Sequence, residues 1–223
     1  MPLTKIQSLG ITDGTIVNAD INASAAIAST KLSGVTSDFV LLASTDASSS
    51  SSISFDGYFS STYKNYKVII SNMLPATDGT TFRLRYRQSN ADLTDSYYIS
   101  SIDASYTTSS AGGFDYDRVW NASSFRLNGT DLDSTDTLAN LNAEFTIYNP
   151  LGTSYKKCFT FLGGSPSTNA DYLYNYNSYG VYTNSNAALS GVTFFMSSGN
   201  ITVGNFKLYG IKWKRLLIIL NTI

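Results

Sequence analysis

Tyrosine recurs through residues 172–182 of this chain: Tyr172, Tyr174 and Tyr176 alternate, and Tyr179 and Tyr182 follow. Alternation puts the first three on one face of a strand. Each offers a flat apolar ring that stacks on a sugar and a hydroxyl that hydrogen-bonds one. Asp171, Asn175 and Asn177 lie among them as further sugar partners. The competing reading is a tyrosine ladder on a sheet surface or at a subunit interface, because tyrosine favours strands anyway. A second cluster, "FDYDRVW" at 114–120, sets Asp115, Asp117, Arg118 and Trp120 in what reads as a loop. Trp beside Asp and Arg suits ligand binding; a Trp packed on its own loop is the plainer account. The candidate receptor- or glycan-binding residues are Tyr172, Tyr174, Tyr176, Tyr179, Asp115, Arg118 and Trp120.

Other chemistries find less support. The chain has no histidine, which rules out Ser-His and Cys-His nucleophile pairs. A glycosidase needs two opposed carboxylates, and pairs such as Asp115/Asp117 or Asp131/Asp133 are what any Asp-rich loop supplies. No catalytic residue, cofactor or metal is expected. "TDLDSTDT" gathers Asp131, Asp133 and Asp136, yet lacks the glycine and closing glutamate of an EF-hand loop. The lone Cys158 alternates with Phe159 and Phe161 and reads as an inert strand thiol. Arg83, Arg85 and Arg87 form a basic stripe. It reads as an outer sheet face paired with aspartates, against the alternative of contact with acidic glycans.

Strands must position these groups. Charged residues make up 14% of the 223 residues, against a usual share of roughly 25%. Ser, Thr, Asn, Asp and Gly fill the polar positions between Tyr, Phe, Ile and Val, an all-β composition. "TFRLRYRQ" (81–88) alternates strictly, with Phe82, Leu84 and Tyr86 on the face opposite the arginines. Similar runs sit at 66–74, 96–102, 124–127, 141–149, 154–163, 191–198 and 200–213, with Gly, Asn, Asp and Pro turns between them. The pattern predicts a β-sandwich or jelly roll. The serine run Ser48–Ser52 reads as a loop or flexible spacer. A net charge of −1 gives no electrostatic case for a nucleic-acid partner. The longest apolar run, Leu216–Leu220, is too short for membrane insertion. "MPLTKIQSLG" shows no signal peptide, so synthesis in a cytoplasm is expected.

The first forty residues differ. Ile6, Ile11, Ile16 and Ile21 recur at every fifth position, and Ile27 and Leu32 follow. A step of five changes faces on a strand and drifts around a helix. These side chains therefore need a partner, either sister chains or a larger assembly. Residues 18–33 also read as a short helix capped by Asn18 or Asp20 and ended by Gly34. The expected division is an attachment or trimerisation segment, 1–40, extended or short-helical, followed by a sandwich tip, 41–223.

Three stretches resemble structural proteins of tailed bacteriophages. "ITDGTIVNADINASAAIASTKLSGV" is similar to a segment near the start of many tail-fibre proteins. "FDGYFSSTYKNYKVIISNMLPATDGTTFRLRYR" and "LSGVTFFMSSGNITVGNFKLYGIK" resemble the opening and closing of a β-rich fibre module. The likeness covers about half the chain and leaves roughly 90–185 unmatched. The family's Gly-rich turn after the arginine strand is replaced here by "SNADLTDS", and "RLLIILNTI" extends beyond the usual ending. The resemblance implies a homotrimeric virion structural protein: a short tail fibre joined to the phage tail through residues 1–40, its tip contacting a host-surface glycan or protein. A capsid decoration or head-fibre protein is the alternative, on the capsid surface instead. A glycan-degrading tailspike is the third reading; the missing histidine, the length and the absence of a β-helix repeat count against it. Trimerisation would turn weak sites into avidity.

Overall fold

The computed structural model describes residue 21 and residues 37–107, 113–128, 132–134, 139–166 and 172–212. The chain divides into two units, Met1–Ser37 and Asp38–Ile223. In the first, Ile21 is described and is exposed; Ile6, Ile11, Ile16, Ile27 and Leu32 lie outside the described residues, as do the rest of the possible helix at 18–33 and the "RLLIILNTI" extension.

The second unit is all-β, and its described residues contain no helix. Its strands are β1 (Phe39–Ser50), β2 (Ser52–Asp56), β3 (Asn65–Pro75), β4 (Phe82–Gln88), β5 (Ala91–Asp92), β6 (Tyr97–Thr107) and β7 (Gly113–Ala122). They continue as β8 (Phe125–Arg126), β9 (Leu141–Tyr148), β10 (Lys157–Pro166), β11 (Tyr172–Tyr182), β12 (Gly191–Met196) and β13 (Ile201–Ile211). An eight-stranded sheet has the order β1-β13-β3-β9-β10-β11-β6-β7; a five-stranded sheet runs β2-β12-β4-β5, with β8 beside β4. All pairings between these strands are antiparallel. The two sheets pack as a sandwich.

Two loop expectations fail. The serine run is not a spacer: β1 continues to Ser50 and β2 starts at Ser52, so the chain changes sheets at Ser51. Serine is small enough for this corner, and Ser49 takes a left-handed φ of 51° there while Asn200 Nδ2 donates to its carbonyl at 2.8 Å. "FDYDRVW" is likewise not a loop but the body of β7, an edge strand. Aromatic and β-branched residues at alternate positions outweighed its three charges.

The core is an aromatic layer shared by the sheets. Phe82 of β4 and Phe194 of β12 stack at 5.6 Å and 9°. From the facing sheet, Phe145 meets Phe194 edge-on at 5.5 Å, and Phe206 lies 5.9 Å from it. Further along, Phe125 of β8 packs edge-on against both Phe159 and Tyr97, each at 4.4 Å. Each such ring contributes about 1.5–3 kcal/mol through burial. The arginine stripe lies on the opposite face of β4. Arg87 pairs with Asp56 at 3.0 Å and Asp92 at 2.6 Å, while Arg83 bonds Thr81 and Ser124 hydroxyls.

Gly180 on β11 faces this layer. A Cβ there would lie 2.1 Å from Phe159 Cε1 and 2.8 Å from Phe125 Cε1. Both rings are buried and cannot retreat without disturbing their neighbours. Gly180→Ala is therefore expected to cost about 1–3 kcal/mol through overpacking, read as a lowered midpoint in urea unfolding. An unchanged midpoint would mean that the layer is looser than described.

Candidate functional site

β7, β6 and β11 lie side by side at one end of the eight-stranded sheet. Their pairing sets Arg118 opposite Ser100, and Ser100 opposite Tyr179. The inner phase of β11 is fixed by Tyr176, Ser178, Gly180 and Tyr182, all buried. The outer phase then carries Leu173, Asn175, Asn177 and Tyr179, all exposed. On β6, Tyr97, Ile99, Ser101 and Asp103 are buried, which turns Tyr98 and Ser100 outward.

A bulge aims the last component. Between the pairs Tyr97–Ala122 and Ile99–Val119, β7 holds one residue more than β6. Asn121 takes a left-handed φ of 49° at this point, a conformation asparagine tolerates better than most residues. Such a bulge re-directs neighbouring side chains. Trp120 stands beside it, 71% exposed, with its ring 6.3 Å from that of Tyr98 and inclined by 64°.

The result is an open groove of about 220 Å³ lined by Tyr98, Ile99, Ser100, Arg118, Val119, Trp120, Tyr179 and Val181. It joins flat rings, a serine hydroxyl and one guanidinium. Hydrogen bonding with the Cys158 thiol and partial burial push the Tyr179 hydroxyl up to about 12. It therefore stays neutral at physiological pH, able to donate or accept a hydrogen bond. Rings of this kind cover the apolar faces of a sugar, and the polar tips serve its hydroxyls.

Of the candidates read from sequence, Tyr179, Arg118 and Trp120 come together here. Tyr176 does not: it is fully buried, and its ring stacks on the half-buried Tyr174 at 6.3 Å and 10°. Sequence alternation correctly placed Tyr174 and Tyr176 on one face, but that face is the interior. The side chains of Tyr172 and Asp115 lie outside the described residues, as do Asp171, Asp131 and Asp136. Asp117 is turned aside and pairs with Arg126 at 3.3 Å. Tyr98, Ser100 and Val181 were missed. The doublet Tyr97-Tyr98 signals a strand without saying which ring faces out, and Asn121 directly after Trp120 was the available hint of a bulge.

Comparison with known proteins finds no matching protein family, no matching curated protein and no matching solved structure.

Exposure separates the groove from the tyrosines behind it. Trp120→Ala and Tyr179→Ala are expected to change stability by no more than about 0.5 kcal/mol. Tyr176→Ala should cost about 3–5 kcal/mol, the scale for removing a buried ring. Urea denaturation of the three variants checks this order; a large loss in Trp120→Ala would make the indole a structural element and not a surface one.

Proposed function

We propose that this protein is a phage virion structural protein, a short tail fibre whose β-sandwich tip recognises a host-surface glycan during adsorption. The observation that supports it is the groove: Trp120, Tyr98 and Tyr179 present aromatic surface to solvent around Ser100 and Arg118. An edge strand with three rings more than 70% exposed, Phe114, Tyr116 and Trp120, is poorly suited to plain solvent. The resemblance of both ends of the sandwich to a fibre module supplies the virion context. On this reading the chain binds without chemistry, works as a homotrimer and joins the tail through residues 1–40.

A capsid decoration or head-fibre protein is the second reading, and a separate observation favours it. The outer face of the eight-stranded sheet also exposes Ile69, Ile102, Leu162 and Leu173 between 39% and 58%. Apolar residues spread over a sheet face suit packing against sister chains or shell proteins as well as ligand contact. Immunogold labelling of the virion separates the two readings by tail or head location.

The test of recognition is competition. Purified full-length protein added to host cells should slow phage adsorption, and Trp120→Ala should reduce that inhibition about tenfold or more, the effect of losing a ring worth at least ~1.4 kcal/mol at a binding hot spot. Equal inhibition by wild type and Trp120→Ala would remove the groove from adsorption.

A further inference from the structure

We propose that the groove selects a sugar unit bearing a carboxylate, which Arg118 engages through its guanidinium while Trp120 and Tyr179 cover the ring. This rests on the glycan-binding reading above and narrows it to acidic saccharides.

The inference comes from how the arginines are used. Arg83 bonds Thr81 and Ser124; Arg85 donates to the Ser123 carbonyl and lies 4.7 Å over the Phe195 ring. Arg87 holds Asp56 and Asp92, and Arg126 holds Asp117 and the Asn128 carbonyl. Arg118 differs. It is exposed and makes no ion pair or side-chain hydrogen bond among the described residues. Among the described residues, no acid lines its groove. Two acids of this sheet are committed elsewhere: Asp117 to Arg126 on the other side of β7, and Glu144 to Lys67 at 2.8 Å three strands from β6. A cation in an apolar groove that no described acid lines, on a chain of net charge −1, is a local charge without a described counterpart.

Geometry narrows the anion. Guanidinium presents a planar fork that matches the planar carboxylate through parallel N–H donations. A single cation balances one negative charge. A phosphate dianion would leave charge uncovered, since the groove holds no lysine and no second arginine. Arg118, Ser100 and Tyr179 lie in one row across β7, β6 and β11. A carboxylate at Arg118 thus sets the sugar ring over Ser100 and its far edge towards the Tyr179 hydroxyl. Trp120, two residues along β7 from Arg118 and beside Tyr98, closes the side of the row.

The chain's tryptophans are two in number, Trp120 and Trp213, so full-length protein carrying Trp213→Phe reports on the groove through Trp120 fluorescence. It is titrated with methyl glucuronide, its methyl ester, methyl glucoside, and methyl glucoside 6-phosphate and 6-sulfate. The glucuronide should bind about tenfold to a hundredfold more tightly than the ester and the glucoside, the scale of a hydrogen bond to a charged group. Arg118→Met should erase that preference while leaving the urea midpoint unchanged. Saturation-transfer NMR on the same variants, with Trp120→Ala included, should show loss of all sugar contact in Trp120→Ala. Equal binding of glucuronide and glucoside, a preference that survives Arg118→Met, or tighter binding of the phosphate or sulfate would each overturn the acidic-sugar proposal. In those cases the glycan reading stands as long as Trp120→Ala still abolishes binding. Absence of binding by every probe overturns the proposal, and the adsorption assay then decides the broader reading by itself.

Discussion

The aromatic layer between the sheets is the constraint on which the rest of the molecule depends. Strand side chains alternate, so burying one residue decides the direction of both its neighbours. Phe159 and Phe125 close around Gly180, Tyr97 packs on Phe125, and Tyr182 lies 5.1 Å from Tyr97. With Gly180 and Tyr182 held inside, Tyr179 and Val181 must point out. With Tyr97 and Ile99 inside, Tyr98 and Ser100 must point out. The groove's floor on β6 and β11 is thus the outer print of the core's inner packing. A slip of one residue in β11 would bury Tyr179, a slip in β6 would bury Tyr98, and either would turn core residues outward.

The layer also has a polar requirement, and it explains why tyrosine is so abundant. β5 and β8 are short, and on the side away from β12 they leave part of β4 without a strand partner. Tyr97 fills the gap: its hydroxyl accepts from the Tyr86 N–H at 2.9 Å and donates to the Leu93 carbonyl at 2.8 Å. Asn128 Oδ1 does the same for the Phe82 N–H at 2.6 Å. Tyr66 serves the 58–64 connection, accepting from the Ser60 N–H and donating to its carbonyl. A buried backbone group left unpaired costs about 1–3 kcal/mol. Tyrosine solves both problems at once, since one side chain supplies a core ring and a hydrogen-bonding tip. Burial of this kind pushes the Tyr97 and Tyr86 hydroxyls well above their ordinary range.

This double use sets what was legible in the sequence. Strict alternation at 81–88 gave β4, its buried face and its charged face, because apolar and basic residues there share no chemistry. The run at 172–182 gave a strand but not its orientation. Tyrosine suits the core, the sheet edge and a ligand surface, so Tyr174 and Tyr176 look no different from Tyr179 until a neighbour fixes the phase. That neighbour is Gly180, whose missing side chain makes room for rings brought by β8 and β10. β7 was misread for a related reason: three charged residues in "FDYDRVW" suggest a loop, but an edge strand accommodates charge on its solvent side. Trp120 was recognised as unusual without its bulge, since bulges are a property of two paired strands and not of one.

The size of the groove connects the tip to the remainder of the proposed function. Sites that enclose a small molecule run to about 300–1,000 Å³; this one, at about 220 Å³ and open to solvent, has room for one face of a sugar and no more. On the proposed reading each contact is a ring stack and a few hydrogen bonds, with no enclosing wall to slow release. A shallow site of that kind adheres to a surface only when several act together. The isoleucines at steps of five in residues 6–21 are the expected answer to that need on the proposed reading, because a step of five matches neither a strand face nor a helix face. Selectivity does not depend on depth in the same way. On the acidic-sugar proposal the preference comes from the charge-assisted hydrogen bonds that a carboxylate adds at Arg118 and a neutral sugar lacks, so a weak site can still be a discriminating one.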